Sequence, residues 1–234
     1  MIEDPPLLDI ARRLDRPVGG LVDQFRDTPT SFIVDAMGGR GAMDWRIKPI
    51  GTVHSFVGIA LTCYCGPADN LALCAAVARC EPSDVLVAAT DGFTGTSVVG
   101  DLLLGIAKNR GAAAFVTDGL VRDQNDLDKL AFPCFAMGAT PNSPARNGPG
   151  SVGLPVQCGG LQVSSGDVVI GDRDGVIVVP QANIKDVVSR LAAVREAEAE
   201  MLSGVKSGLK EVGFVTELLA GDRIRHSDNP GAKR

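Results

Sequence analysis

Four ionisable side chains lie within ten residues, 117–126, whose sequence is T-D-G-L-V-R-D-Q-N-D. The arginine, Arg122, stands next to Asp123, and two more carboxylates, Asp118 and Asp126, flank this pair. A guanidinium group binds a carboxylate through two hydrogen bonds, and clustered carboxylates suit a hard divalent cation. Because the apolar run A-A-A-F-V directly precedes the stretch, it is either an ordinary strand–turn–helix junction or a site that holds charge.

A second polar segment follows an earlier apolar run at residues 85–89. It is the glycine-rich loop T-D-G-F-T-G-T at 90–96, and a helical pattern begins soon after it. The residues at the start of that helical pattern are Gly100, Asp101, Leu102 and Leu103. Since helix N-termini favour anions, this segment is also a candidate for binding a charged ligand.

The elements that would hold these two segments alternate between strand and helix. Strands are predicted at 85–89 and 112–117, and helices at 98–109 and from about Asp123 onwards, with Gly111 as a C-terminal cap. This alternation implies parallel strands joined by crossover helices. Ligands in such sheets bind beyond the carboxyl ends of the strands, so we expect both polar segments to lie side by side in one site.

Each of these residues also has a simpler interpretation. Asp123 could be a helix N-cap with Asp126 as the acidic partner in a capping box. Asp101 could merely complement the helix dipole, and Arg122 could be a solvated surface residue. The joint placement at two strand ends favours a functional site over these separate explanations.

The remaining elements are predicted from local patterns. Helical spacing is found at 7–26, 29–39, 69–79 and 181–202, with Asp69 as a possible N-cap. Two extended segments at 47–65 are expected to break near Gly58, and short hairpins follow residue 150, one of them turning at 171–175. We expect one α/β domain over residues 1–180, then a C-terminal helix and a polar, mobile tail over 181–234.

Composition limits the classes of partner. The chain has 234 residues and a formal net charge of −5 without any run of Lys or Arg, which argues against a nucleic-acid surface. No apolar run approaches the roughly 18 residues of a membrane span, and the N-terminus does not have the pattern of a signal peptide. These features predict a cytoplasmic protein with no membrane partner.

The sequence lacks the residue patterns that several other kinds of site require. Six cysteines occur without any C-x-x-C pair, so we expect buried reduced thiols and not a zinc site. The sequence G-D-R-D-G at 171–175 begins like a calcium loop, but I-V-V-P follows and supplies no further side-chain oxygens. No lysine stands in an apolar context that would lower its pKa for Schiff-base formation. The two histidines, His54 and His226, have no nucleophile motif beside them.

The run G-D-L-L-L-G-I-A-K-N-R-G-A-A-A-F-V-T-D-G-L-V-R-D-Q-N-D, residues 100–126, resembles the signature of a family of class II pyruvate aldolases. That family cleaves 4-hydroxy-4-methyl-2-oxoglutarate and 4-carboxy-4-hydroxy-2-oxoadipate, and it also contains the regulator of ribonuclease activity. Similarity extends to V-D-A-M at 34–37, A-D-N-L-A-L at 68–73 and the segment 158–180. One mild departure is Asp101, where many relatives have Glu.

The resemblance implies a fold and a set of roles. The fold would be a single α/β domain with a mixed sheet and α-β-β-α layers, similar to swivelling domains. Arg122 and residues 100–103 would bind the pyruvate moiety, and Asp123 would bind Mg²⁺ or Mn²⁺. The metal and Arg122 would stabilise the pyruvate enolate, while Asp101 would position a metal-bound water as the base. Oxaloacetate decarboxylation, which passes through the same enolate, is the expected side activity.

Assembly and two other functions complete the expectations. The resemblance implies a homotrimer or dimer of trimers, in which Glu196, Glu198 or Glu200 could reach a neighbouring site. The first alternative function is a non-catalytic binding protein like the ribonuclease regulator. The second is a methyltransferase, which is disfavoured because the best glycine-rich loop, G-G-R-G-A-M-D at 38–44, follows a predicted helix instead of a strand.

Overall fold

A computed structural model of the chain describes residues 4–17 and 20–227. The chain divides into two compact units, Met1–Ala192 and Ala193–Arg234. The first unit contains every strand of the described residues and the first turns of the longest helix. A domain boundary at residue 180 stays a prediction.

The strands are β1 Leu8–Ile10, β2 Lys48–Ile50, β3 Phe56–Tyr64, β4 Asp84–Ala89, β5 Ser97–Val99, β6 Ala114–Thr117, β7 Leu120–Val121, β8 Cys134–Ala136, β9 Gly150–Val152, β10 Val156–Cys158, β11 Leu161–Val163, β12 Val168–Asp172 and β13 Gly175–Val179. The α-helices are α1 Thr30–Ala36, α2 Leu71–Arg79, α3 Asp101–Asn109, α4 Gln124–Leu130, α5 Ile184–Lys206 and α6 Gly213–Ala220. Two 3₁₀ turns cover Val22–Phe25 and Gln181–Asn183.

A mixed sheet of nine strands forms the centre of the first unit, as far as the chain is described. Its order is β1-β9-β3-β4-β6-β8-β2, and β12 pairs with β3 and with β13. The four central strands, β3, β4, β6 and β8, run parallel, whereas β2, β9 and β12 pair antiparallel with their neighbours in this group. The predicted alternation of parallel strands and helices is therefore confirmed, within a mixed α/β fold.

The sheet carries apolar side chains on both faces. Every residue of β4 is buried, and successive side chains of a strand point to opposite faces. Leu86 packs with residues of α2, α3 and α4 on one face, while Val85 and Val87 pack with the hairpin β10–β11 and with β13 on the other. The crossover helices α2, α3 and α4 thus cover the same face of the sheet.

The helix predicted over residues 7–26 is wrong. Among the described residues of this span, residues 8–10 form β1, which runs parallel to β9 with Leu8 opposite Gly150, and a short 3₁₀ turn covers Val22–Phe25, while residues 18 and 19 lie outside the described residues. Pairing with a sheet edge satisfies the backbone and lets Leu8 and Ile10 pack against the core. Arg16, farther along, forms an ion pair with the buried carboxylate of Asp84, with Nη2 2.9 Å from Oδ2.

The break within residues 47–65 is at a different glycine from the predicted one. Strand β2 ends at Ile50, and Gly51 turns the chain with φ of +96° before β3 begins at Phe56. Gly58 lies inside β3, where a Cβ atom would be 2.5 Å from the carbonyl oxygen of Ser83. Glycine at 58 therefore permits close approach of two backbone segments and does not interrupt the strand.

Several local predictions are confirmed. Helix α1 is followed by Gly38 and Gly39 at positive φ, and Gly111 follows α3 with φ of +86°. Residues Arg173 and Asp174 form the two-residue turn between β12 and β13. The prediction of Asp69 as the N-cap of α2 is wrong by one residue, because the N-cap is Asn70, which forms no side-chain capping hydrogen bond. Asp69 stands one residue earlier, and its Oδ1 accepts a hydrogen bond from the Leu71 amide at 2.8 Å.

The C-terminal helix α5 is confirmed and extends to Lys206. In its first turns Ile184, Val187 and Leu191 are buried. A second helix, α6, was not predicted from the sequence. The predicted mobile tail is described only as far as residue 227, and its last seven residues, 228–234, lie outside the described residues. No helix of the described residues is long and apolar enough to cross a membrane.

Candidate active site

Two strand ends bring the polar segments together. β4 and β6 are adjacent and parallel, with Ala88 opposite Thr117. Beyond them the short strands β5 and β7 pair with each other, and the amide of Arg122 donates to the carbonyl oxygen of Val99 at 3.0 Å. This bond places Arg122 beside Gly100, which is the first residue after Val99. The prediction that the two loops lie side by side is confirmed.

Asp118, the first carboxylate of the opening stretch, ties these loops to each other. It is buried, and its Oδ1 accepts hydrogen bonds from the Thr90 amide at 2.7 Å and from the Thr90 hydroxyl at 3.0 Å. Its Oδ2 accepts from the Gly92 amide at 3.1 Å. Burial raises the pKa of Asp118, and these hydrogen bonds oppose that shift. Asp118 therefore holds the start of the loop at 90–96 against the loop that follows β6.

A cavity of about 370 Å³ lies at the start of α3. Its lining includes every residue that the sequence predicts for the site, namely Gly100, Asp101, Leu102, Leu103, Arg122 and Asp123. Gly100 is the N-cap of α3 and has no side chain to bind the first amides of the helix. The first amides of an α-helix have no partner within the helix, so they are available to an anion in this cavity.

Arg122 is fixed by two polar neighbours at the rim of the cavity. Its Nε donates to Oδ2 of Asp123 at 3.1 Å, and its Nη1 donates to the hydroxyl of Ser143. The side chains of Arg122 and Asp123 each retain 38% of their solvent exposure. Both groups are therefore positioned by the protein and still accessible to a ligand.

The capping interpretation of Asp123 is wrong. Asp123 stands at the N-cap position of α4, but its backbone is left-handed (φ 60°, ψ 40°) and its side chain makes no capping hydrogen bond. Its carbonyl oxygen, not its carboxylate, accepts from the amides of Asp126 and Leu127, both at 2.9 Å. The carboxylate of Asp126 pairs with Lys129 at 2.8 Å instead of closing a capping box. The carboxylate of Asp123 is thus directed to Arg122 and the cavity.

Sequence reasoning missed four residues of the cavity lining that carry a polar side chain or a thiol: Asn70, Cys74, Ser143 and Arg146. They come from the start of α2 and from the loop after β8, which are distant in sequence from the two predicted strand ends. The Nδ2 of Asn70 donates to the carbonyl oxygen of Val98 at 2.9 Å, which fixes α2 next to β5. The segment A-D-N-L-A-L, which contains Asn70, indicates the family but does not indicate that Asn70 lies in the site.

Asp123 and Asp101 are the carboxylates of the cavity lining that could bind a cation. The described residues hold no cluster of three or more His, Cys, Asp or Glu side chains that could enclose a metal ion. Mg²⁺ does not need such a cluster, since it usually keeps several waters and binds one or two carboxylates together with substrate oxygens. The donor set fits that open type of coordination.

The sequence model of the RraA-like family, described as Aldolase/RraA, matches residues 30–178. The chain belongs to this family. The resemblance seen in the sequence is therefore confirmed. Within the RraA-like family the matched span runs from α1 to β13 and contains every residue of the cavity lining.

Two relatives match this chain over most of their own length. A protein of Halalkalibacterium halodurans named "Putative 4-hydroxy-4-methyl-2-oxoglutarate aldolase" is 36% identical over 179 residues, which are 76% of this chain and 85% of the relative. The structure of RraAS2 from Streptomyces coelicolor, an unusual member of the RNase ES inhibitor RraA protein family, has a TM-score of 0.70 at 27% identity, and the match covers 82% of this chain and 100% of that one.

A third relative is the RNA-processing inhibitor RraA from "Thermus thermophilis". Its structure has a TM-score of 0.61 at 27% identity. The match covers 66% of this chain and 93% of the RraA chain. The RraA-like family thus includes proteins named as aldolases and proteins named as inhibitors of RNA processing. A choice between these activities for this chain has to be argued from its own residues.

Proposed function

We propose that this protein is a divalent-metal-dependent pyruvate aldolase. It would cleave a 4-hydroxy-2-oxo dicarboxylic or tricarboxylic acid to pyruvate and a second oxo acid. The observation that supports this proposal best is the convergence of Arg122, Asp123 and the start of α3 on one cavity. The name of the relative in Halalkalibacterium halodurans favours the same reaction.

Arg122 and the start of α3 would bind the pyruvate end of the substrate. The free amides that follow Gly100 and the guanidinium of Arg122 line the same cavity. A guanidinium group and exposed helix amides both bind carboxylate and oxyanion groups strongly. Retro-aldol cleavage breaks the C3–C4 bond, leaves the electron pair on the pyruvate enolate, and ends with protonation at C3. Fixed donors at the C2 oxygen would stabilise that enolate.

Asp123 would hold the metal ion, Mg²⁺ or Mn²⁺. Its carboxylate packs against Gly100, where a Cβ atom would lie 2.2 Å from Oδ2. The absence of a side chain at residue 100 therefore makes room for this carboxylate at the mouth of the cavity. When bound, such an ion supplies Lewis-acid polarisation of the 2-oxo group.

Asp101 would assist removal of the proton from the C4 hydroxyl group. It lines the cavity in the first turn of α3. Its carboxylate forms no hydrogen bond or ion pair with another side chain among the described residues, so it is free to hold a water molecule against the substrate. No histidine of the described chain lines this cavity, which leaves Asp101 as its acid–base group together with water.

The test is release of pyruvate, measured by coupling to lactate dehydrogenase and NADH. Candidate 4-hydroxy-2-oxo acids and oxaloacetate are supplied with Mg²⁺ or Mn²⁺, and then with EDTA in excess. The proposal predicts turnover with at least one hydroxy-oxo acid, loss of turnover with EDTA, and recovery when metal is restored. Absence of pyruvate from every substrate, or turnover that EDTA leaves unchanged, would refute it.

We also propose that the protein assembles as a homotrimer or a dimer of trimers. Two apolar side chains one turn apart on α3, Leu102 and Ile106, are 79% and 52% exposed beside the cavity. A second copy of the chain would cover them, and one of the exposed acids Glu196, Glu198 and Glu200 would contribute to a neighbouring site. A monomeric mass from light scattering at micromolar concentration would contradict this proposal.

A second candidate function is regulation by binding without catalysis. It is favoured by the names of two solved relatives, an RNA-processing inhibitor RraA and a member of the RNase ES inhibitor RraA family. A binding surface would not need the combination of Arg122, Asp123 and an unobstructed helix N-terminus in one cavity. The EDTA-sensitive pyruvate assay separates the two functions, since a regulator releases no pyruvate from any of the substrates.

A further inference from the structure

Arg146 is a second guanidinium group in the same cavity. It lines the cavity together with Arg122, and its side chain is exposed. It forms no hydrogen bond or ion pair with any of the described residues. Its charge reaches the thiol of Cys74, where it opposes the effect of burial, which raises the pKa of that thiol. Arg146 is therefore a cation that faces the cavity without a protein counterion in the described chain.

The backbone on both sides of Arg146 is held in place by α2 and the turn before it. The amide of Ala145 donates to the carbonyl oxygen of Ala68 at 2.7 Å, and the amide of Asn70 donates to the carbonyl oxygen of Ala145 at 3.0 Å. The amides of Asn147 and Gly148 donate to Oδ2 of the buried Asp69. The position of Arg146 is thus fixed by its neighbours, while its side chain remains available.

The charges of the cavity are unevenly paired. The guanidinium of Arg122 is bound to Asp123 and Ser143, so it is oriented toward the start of α3. If a ligand bound Arg122 through its only carboxylate group, Arg146, which also lines the cavity, would have no anionic partner. A guanidinium group matches a carboxylate through two parallel hydrogen bonds. A ligand with two carboxylates would satisfy both arginines.

We propose that Arg146 binds the distal carboxylate of a dianionic 2-oxo acid and thereby selects dicarboxylates over monocarboxylates. The proposal rests on the function proposed above only in assigning the pyruvate end to Arg122 and α3. Arg146 is a specificity-determining residue in this account. It takes no part in breaking the C3–C4 bond, so its loss weakens binding of the distal group and not the chemistry.

The half-buried thiol of Cys74 provides a direct measure of binding. The other five cysteines are buried, so alkylation of the native protein by iodoacetamide should occur at Cys74, which lines the cavity. With Mg²⁺ or Mn²⁺ present, 2-oxoglutarate (a dianion) and pyruvate (a monoanion) are each titrated as protecting ligands. The measured quantity is the ligand concentration at half-protection, because replacing Arg146 also changes the reactivity of the thiol itself.

The variant is Arg146→Gln, with Arg173→Gln as a matched control that removes an exposed arginine from the β12–β13 turn. Loss of a charge-assisted hydrogen bond should raise the half-protecting concentration of 2-oxoglutarate roughly tenfold or more, and that of pyruvate less than about twofold. The control should change neither. No protection of the wild-type protein by 2-oxoglutarate, or an equal shift for both ligands in Arg146→Gln, would overturn the proposal.

Measurements of turnover provide an independent test of the proposal. In Arg146→Gln, kcat/KM should fall for 4-hydroxy-4-methyl-2-oxoglutarate and stay level for 4-hydroxy-2-oxopentanoate, which lacks the second carboxylate. Equal losses for both substrates would contradict the role of Arg146 and leave the aldolase function standing. Protection by 2-oxoglutarate that depends on Arg146, in a protein that cleaves no substrate, would refute the aldolase function and support the dicarboxylate site.

Discussion

A Cβ atom at residue 100 would lie 2.2 Å from Oδ2 of Asp123 and 3.0 Å from Nε of Arg122. No real side chain tolerates the shorter distance, so only glycine at residue 100 allows the carboxylate and the guanidinium to occupy their observed positions. The backbone of Gly100 has φ of −126°, which any residue adopts. Glycine is therefore required here by the space that Asp123 needs and not by backbone conformation.

Gly100→Ala should impair the site with little effect on folding. The new methyl group would displace the carboxylate of Asp123, which is at the end of a partly exposed side chain and is able to move. Displacing a positioned group by about 1 Å costs on the order of 10²-fold in rate, so we expect a loss of that size in kcat/KM for pyruvate release.

The matched control for that variant is Gly105→Ala on the same helix. A Cβ atom there would lie 3.8 Å from Leu130 Cδ1, which is ordinary van der Waals contact. Alanine has the higher helix propensity by about 1 kcal/mol, so urea unfolding should show a small gain in stability with unchanged activity. Equal activity losses in the two variants would contradict the role assigned to Gly100.

Arg122→Lys should lose most activity although the charge is kept. Lysine has one nitrogen and cannot bind Asp123, Ser143 and a ligand carboxylate from one planar group. Losing one oriented donor costs roughly 10²-fold in kcat. Since Arg122 is partly exposed, the free energy of unfolding should change by less than about 0.5 kcal/mol.

Arg46→Lys is the control for the arginine variant. Arg46 binds Asp44 through Nε at 3.0 Å and Nη2 at 2.7 Å on the surface, outside the cavity lining. Its replacement should leave kcat/KM unchanged. Near-wild-type efficiency of Arg122→Lys would mean that Arg122 does not bind the pyruvate end of the substrate.

Asp118→Ala should destabilise the protein. Three donors, the Thr90 amide and hydroxyl and the Gly92 amide, would lose a buried acceptor, which costs about 1–3 kcal/mol. Urea unfolding monitored by circular dichroism measures this loss. A stability equal to that of the wild type would show that water replaces the carboxylate and that Asp118 does not hold the loop at 90–96.

Most of the site could be predicted from the sequence because it lies where two parallel strands end. Apolar runs identified β4 and β6, and strand geometry then placed Gly100 and Arg122 at one edge of the sheet. Arg146 could not be found in this way. It belongs to a loop without periodicity, and hydrogen bonds to Asp69, far away in the sequence, bring it to the cavity.

Failures in the fold prediction have a similar origin. The spacing of residues 7–26 is compatible with a helix, but β9 offers an unpaired edge to residues 8–10, and such long-range pairing leaves no local signal. Gly58 is compatible with a break in a strand, yet the backbone of Ser83 approaches it closely inside β3. At Asp123 the left-handed backbone, which no local rule requires, directs the carboxylate away from the cap.

The central claim is that Asp123 holds a divalent cation for catalysis, and Asp123→Asn tests it most directly. Asn tolerates the left-handed backbone about as well as Asp, and no side-chain cap is lost, so thermal stability without metal should stay level. Asp123→Ala should instead lose about 1 kcal/mol, since alanine adopts that conformation less readily. Any change in Asp123→Asn is therefore attributable to the lost anionic oxygen.

The measurement is pyruvate release by wild type and Asp123→Asn across a titration of Mg²⁺ or Mn²⁺. We predict saturable activation of the wild type. In the variant we expect a metal midpoint at least roughly tenfold higher and very low turnover at every metal concentration. An unchanged midpoint together with unchanged turnover would contradict the account and reduce residues 117–126 to an ordinary strand–turn–helix junction.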